Sequence, residues 1–226
     1  MAKRTTAARM KVALTFLLLF GPASILVFIA TRGCEHKFKE LDDYGIANDY
    51  SFTDLKGKKY TSKDFKDQIV LITTLQASCP DSCAISFFHL NQAIYQNIYA
   101  NKRKIKKQAR IISFVTDGEG NPVDDMSQVD AMLRDRVLDY DPSIWILAKG
   151  DAKEVYDFKN NGKSLLQEGP EYFGGQAYQE LILLLDKQNH LRMVLSGTSE
   201  GMIRRMKEHL ALLHKQYDKE SSKKKK

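Results

Sequence analysis

Cys79 and Cys83 stand four positions apart in "LQASCPDSCA" (75–84), and the sequence holds one other cysteine, Cys34. Two thiols this close support two kinds of chemistry. As thiolates they exchange electrons through a disulfide, one attacking and the other resolving. Alternatively they hold a soft metal ion between two sulfurs. The three-residue spacer permits both, since the sulfurs can bond at about 2.05 Å or open around an ion. Cu(I), which accepts few ligands, suits a two-sulfur site best. Structural zinc requires four ligands, and the sequence has neither a second C-x-x-C nor a clustered histidine pair. A static bridge across so short a loop adds little stability through chain entropy, which weighs against a purely structural disulfide.

The neighbouring residues indicate how such a pair is positioned. "IVLITTL" (69–75) is continuously apolar and rich in β-branched residues, as a strand buried on both faces should be. After it, Cys83, Phe87, Leu90, Ile94 and Ile98 share one face at helical spacing, predicting a helix over 83–100 with its N-terminus at the cysteines. A helix N-terminus offers unpaired N–H groups and partial positive charge, which favour thiolate. Cys83 lies in the apolar stripe and should be the more buried; Cys79 should be more exposed and react first.

Around this unit the sequence predicts a hairpin at 50–61 turning at Lys56-Gly57 and a second buried strand at 109–116. A helix over 126–140, a short strand at 143–148 and a helix over 151–162 follow. "ELILLLD" and "LRMVLSG" form a hairpin about "KQNH", and a last amphipathic helix begins at Thr198 with Met202 or Ile203, Met206, Leu210, Leu213 and Tyr217 in its stripe. Trp145, Phe87 and Phe88 read as core. Helices between apolar strands require a partly parallel sheet, and the final hairpin makes it mixed. The predicted fold class is therefore α/β: a thioredoxin-like mixed sheet flanked by helices, with an N-terminal hairpin extension.

The formal charge of +7 resides in the tails. Residues 1–11 carry Lys3, Arg4, Arg9 and Lys11 without an acid, and residues 215–226 carry six lysines against Asp218 and Glu220. The remainder is close to neutral, and the cluster "NKRKIKKQAR" (101–110) reads as a solvated helix end, so no nucleic-acid partner is expected. "VALTFLLLFGPASILVFIA" (12–30) is uncharged and of spanning length, with basic residues concentrated before it. The expected layout is a cytoplasmic basic tail (1–11), a transmembrane anchor (12–30), a linker (31–48), the domain (49–218) and a disordered basic tail (219–226). The body then works in the periplasm or another extracytoplasmic space. A lipoprotein signal ending before Cys34 is the rival, and Arg32 fits it poorly.

With these residues in view, the chain resembles the Sco/SenC family of membrane-tethered thioredoxin-fold proteins. Cys79-Pro80-Asp81-Ser82-Cys83 resembles that family's C-P-x-x-C pair ahead of a helix; "RIISFVTDGEGNPVD" and "YDPSIWILAKGDAKEV" resemble its following segments. The resemblance implies Cu(I) handling through Cys79 and Cys83 in cytochrome c oxidase assembly, with an oxidase subunit or another cysteine-bearing copper protein as partner. It also implies a third ligand, a histidine, at a position that falls near Tyr178 here. None of His36, His89, His190, His209 and His214 is placed to substitute; each reads as an exposed or helix-flank residue. The residue after the second cysteine, commonly proline in the family, is Ala84. Two further functions remain open: a thiol-disulfide oxidoreductase with Cys79 as nucleophile and Cys83 as resolver, and a non-catalytic redox sensor. A peroxidase is disfavoured because Gln76 stands where that relative would have threonine.

Overall fold

In the computed structural model, the residues described are 6–33, 41–78, 87–101, 109–160, 163–164 and 178–223. The chain divides into two compact units, Met1–Lys39 and Glu40–Lys226. In the first, helix α1 (Thr6–Gly33) runs for 28 residues with Pro22 inside it. Leu14, Phe16–Phe20 and Ile25–Ile29 on it are exposed. Among the described residues no helix is long and apolar enough to cross a membrane. The expected span of 12–30 includes positions 12, 13 and 30, whose side chains lie outside the description.

The second unit opens with a hairpin of β1 (Ser51–Thr53) and β2 (Lys59–Thr61), paired antiparallel. Its turn uses Gly57 at φ +77°, a conformation that costs glycine least. Next comes β3 (Ile69–Gln76), then a helix, α2 (87–100), interrupted by one π-turn at Asn91–Tyr95. β4 (Ala109–Thr116), α3 (Ser127–Arg136), β5 (Trp145–Ala148) and α4 (Ala152–Tyr156) follow. β6 (Lys159–Asn160) and β7 (Lys163–Ser164) make a small ladder. β8 (Leu181–Leu185), β9 (Leu191–Ser196) and α5 (Glu200–Lys223) complete the unit.

The main sheet has the order β5-β4-β3-β8-β9. β3, β4 and β5 run parallel; β8 is antiparallel to both β3 and β9. The sheet is mixed, as expected, and its central strands are buried on both faces. One face carries Ile69, Leu71, Ile111, Val115, Trp145, Ile182 and Leu184, packed under α2, α3 and α5. The other carries Val70, Ile72, Ile112, Phe114, Leu181 and Leu183, covered by the hairpin's Tyr50 and Phe52 and by α4. Trp145 is fully buried as expected, and its indole N–H donates to Ser113 Oγ at 2.8 Å.

Four sequence expectations differ from what is observed. Phe88 is not core: half of its surface is exposed, because the stripe passes through Phe87 and Leu90 on either side of it. The helix expected over 151–162 stops at Tyr156, and Lys159–Asn160 turn into β6. Residues 41–48, expected as linker, pack onto the body: Tyr44 N–H donates to Leu191 O, Leu191 N–H to Gly45 O, and Ala47 N–H to Asn189 O. Helix α5 continues to Lys223, so Lys219–Lys223 are helical rather than tail.

Candidate functional site

β3 and β4 stay in register from Ile69 opposite Ala109 to Gln76 opposite Thr116. At that edge the Ala77 N–H donates to Thr116 O at 2.8 Å, and Ser78 leads toward Cys79. Cys79, Cys83 and the whole segment 79–86 lie outside the described residues, as does Cys34. The expected helix start at 83 and the relative exposure of the two sulfurs are thus expectations that fall outside the description. What the structure does give is the rim at the Gln76–Thr116 edge of the sheet, beside Ser78, the last described residue before that segment.

Two short turns build this rim. The first follows β4. The Asp117 carboxylate accepts the N–H groups of Glu119 and Asn121, each at 2.8 Å, and the Asn121 side-chain amide at 3.1 Å. These donors, the Asn121 N–H foremost, hold the exposed Asp117 carboxyl below the usual range. Gly120 closes the turn at φ +84°.

The second is a 3-10 turn, Tyr178–Glu180, leading into β8. Tyr178 Oη donates to Gly120 O at 2.8 Å, and Gln179 Nε2 donates to Asp117 O at 3.3 Å. Thr74 Oγ1 donates to Gln179 O at 2.6 Å, tying the turn to β3. The Tyr178 ring rests on Tyr156, centroids 5.3 Å apart, and burial pushes its phenol up to about 12. The described rim therefore links β3, β4 and β8 through side-chain hydrogen bonds.

The sequence showed that position 178 is not histidine. It did not show that the tyrosine is 8 % exposed, hydrogen-bonded and packed among Tyr156, Phe158 and Leu181. A buried neutral phenol that already donates its proton is a poor ligand for a soft ion. Thr116 was also missed: it is fully buried, and its Oγ1 makes no hydrogen bond.

The described histidines lie elsewhere. His190, at the β8–β9 turn, pairs through Nδ1 with Asp43 at 2.8 Å. His209 Nδ1 contacts Arg205 O at 2.7 Å, and the His89 ring abuts Phe88. His214 flanks the stripe of α5 beside Leu213, as expected, and is half-buried; both ring nitrogens are shielded without a hydrogen bond, and burial lowers its pKa. His36 is outside the described residues. Among the described residues no three metal-ligating side chains gather into a cluster.

Comparison with known families decides the kinship. The SCO1/SenC family model matches residues 39–214, which includes both cysteines and every rim residue. The chain belongs to the SCO1/SenC family. Its fold is that of BsSco, described as a member of the Sco family of cytochrome c oxidase assembly proteins with a disulfide switch. That structure is 16% identical, has a TM-score of 0.50, and the match covers 76% of this chain and 97% of BsSco. A SCO1/SenC family lipoprotein from Bacillus anthracis is 20% identical over 74% of this chain and 96% of its own, with a TM-score of 0.49. Yeast Sco1 with copper bound is 16% identical over 74% of this chain and 93% of its own, with a TM-score of 0.47. No curated protein matches the chain.

Proposed function

We propose that this SCO1/SenC protein is a membrane-tethered handler of Cu(I) in cytochrome c oxidase assembly, with Cys79 and Cys83 as the two sulfur ligands. The observation that carries the reading is a C-x-x-x-C pair in the connection from β3 to α2, inside a family match spanning residues 39–214. Copper is cargo here, taken up and handed to a cysteine-bearing copper protein. Two thiolates suit a soft, low-coordinate ion. Among the described residues no histidine stands at the rim, and the third ligand is left unassigned beside the sulfur pair.

The tether is the α1 segment. A 28-residue helix is about 42 Å long, and the sequence is uncharged from residue 12 to residue 30. The excess of basic residues before it favours a cytoplasmic N-terminus and an extracytoplasmic body.

A second reading uses the same sulfurs as a thiol-disulfide oxidoreductase, and the unpopulated third-ligand position favours it. The Cys79 thiolate attacks one sulfur of a partner's disulfide, forming a mixed disulfide and expelling the partner's other sulfur as thiolate. The Cys83 thiolate then attacks Cys79 Sγ, releasing the partner's second thiolate. Two electrons pass to the partner, and the pair becomes a disulfide.

Titration of the reduced, full-length protein with Cu(I) against a competing chelator tests both. One-to-one binding lost in Cys79→Ser and in Cys83→Ser supports copper handling. Weak binding together with rapid reduction of a dithiol-forming disulfide substrate, lost in the same variants, selects the oxidoreductase. Neither behaviour in the parent protein leaves the redox-sensor role.

A further inference from the structure

β5 is an outer strand of the main sheet, with β4 on one side only. In their parallel ladder the Ile111 N–H donates to Ile144 O at 2.8 Å. The peptide groups of residues 144, 146 and 148 therefore face β4, and those of 145, 147 and 149 face outward. Two of these three outward rungs are capped. The Trp145 N–H donates to Asp141 O at 3.1 Å, and Trp145 O accepts the Tyr140 hydroxyl at 3.0 Å. Lys149 exchanges both of its bonds with Thr53, each at 2.8 Å, in an antiparallel bridge. Residue 55 would stand opposite Leu147 if β1 ran on. Instead the chain turns away at Asp54, whose carboxylate accepts the N–H groups of Lys56 and Lys58. Leu147 is 2 % exposed, and its outward N–H and C=O have no hydrogen-bond partner among the described residues. A peptide unit so buried is costly to leave unpaired, and on a sheet edge it is a template for another chain.

The open rung lines a cavity of ≈ 640 Å³ between the hairpin turn, β5 and the start of α3. Leu55, Met126, Pro142 and Ile146 give the cavity apolar walls. Four aspartates, Asp54, Asp124, Asp125 and Asp130, stand in it against Lys56, Lys149 and Arg134, which leaves a net negative charge. Three of the four lie just before or within α3, the helix whose Val129 and Leu133 share a sheet face with Leu147. Ile146 points to the other face. In an antiparallel pair the side chain directly opposite Leu147 shares its face, and the two neighbouring side chains point to the other.

We propose that this cavity docks an extended segment of a partner protein with the pattern apolar, cationic, apolar. The cationic residue stands opposite Leu147 and exchanges two backbone bonds with it, as Thr53 does with Lys149. Its side chain meets the aspartates at the start of α3, and the flanking apolar side chains lie on the Ile146 face. The capped rungs at 145 and 149 are about 13 Å apart, room for three extended residues. Neither reading of the cysteine pair bears on this site.

Residue-resolved hydrogen exchange of the full-length protein in detergent micelles tests it. The probe is the blocked tripeptide acetyl-Leu-Lys-Leu-amide, and the control is the same peptide N-methylated at lysine. Without peptide, the Leu147 amide is expected to exchange about tenfold or more faster than the Ile146 and Ala148 amides, which are bonded to β4. Saturating tripeptide should slow Leu147 by about tenfold or more. The methylated peptide should not, because it has no N–H to give Leu147 O. Asp124→Asn combined with Asp125→Asn should raise the half-saturating concentration by about threefold or more. Protection of Leu147 equal to that of its neighbours without peptide overturns the proposal, as does the absence of slowing by the tripeptide or equal slowing by both peptides. Protection that grows with protein concentration alone assigns the cavity to a second copy of this chain and overturns it too.

Discussion

At the scale of single residues, the Tyr178 hydroxyl and Gly120 form one joint. Tyr178→Phe removes the donor to a buried carbonyl and keeps the ring on Tyr156. Urea denaturation is expected to show a loss of about 1–2 kcal/mol. Gly120→Ala is expected to cost about 1–3 kcal/mol by the same measurement, since the side chain adds left-handed strain at φ +84° to an overlap with Tyr178 Oη. The double variant should lose less than the sum of the two, because both act on a single contact. The sequence disclosed the identity of residue 178 and its place just before β8. It could not disclose the direction of the side chain, because a three-residue 3-10 turn leaves no periodic mark and shifts the alternation unseen. Phe88 is the converse case: the stripe through Phe87 and Leu90 was visible, and reading two adjacent aromatics as core overlooked that helix neighbours lie about 100° apart.

Among the elements, the clearest surprise is the strap at 41–47. Arg192 donates to Leu41 O at 2.6 Å, to Asp42 O at 3.0 Å and to Asp186 Oδ2 at 3.0 Å, with Asp186 almost wholly buried. Removing the guanidinium leaves the buried Asp186 carboxylate without its cation, held only by the Gln188 and His190 N–H groups, and loosens the strap at the same time. Arg192→Ala is expected to destabilise by about 2–4 kcal/mol in urea titration, and to raise hydrogen exchange at Tyr44 and Ala47. Polar "EHKFKELDDYGIAN" read as linker because the partners of its described residues 41–48, among them Asn189, His190, Leu191 and Arg192, lie far away in sequence, which composition does not encode.

Helix α5 carries a second element-scale prediction. His214 is half-buried on it with both ring nitrogens shielded and without a hydrogen bond, and burial depresses its pKa below the ordinary value of 6.5. A base with a depressed folded pKa binds its proton more readily when unfolded. Its contribution to stability is therefore complete above about pH 6.5 and declines as the pH falls toward the folded value. Asp218 and Lys187 act on it in opposite directions. Thermal melts from pH 7.5 to pH 5 should fall more steeply for the parent than for His214→Leu, and parallel slopes would contradict the assignment.

On the scale of the whole molecule, both apolar clusters draw their residues from positions 41 to 213. A chain lacking residues 1–33 is accordingly expected to unfold in one cooperative urea transition with the parent's midpoint; early loss of structure in the truncated chain would refute this. The parallel core, the β8–β9 hairpin and the final helix were legible because strands buried on both faces and an amphipathic helix write long periodic signals into the sequence. The rim was not, being built from side chains that meet only after three strands are assembled. The strap grips the β8–β9 turn, where Asp67 N–H reaches Lys187 O and Val70 pairs with Leu185 at the start of β3. The cysteine segment departs beyond Gln76 at the other end of that strand, about 25 Å away. Tension arriving through the leading segment would thus be absorbed by peeling Tyr44 and Ala47 from the hairpin, one bond after another, while the far rim stayed mechanically quiet.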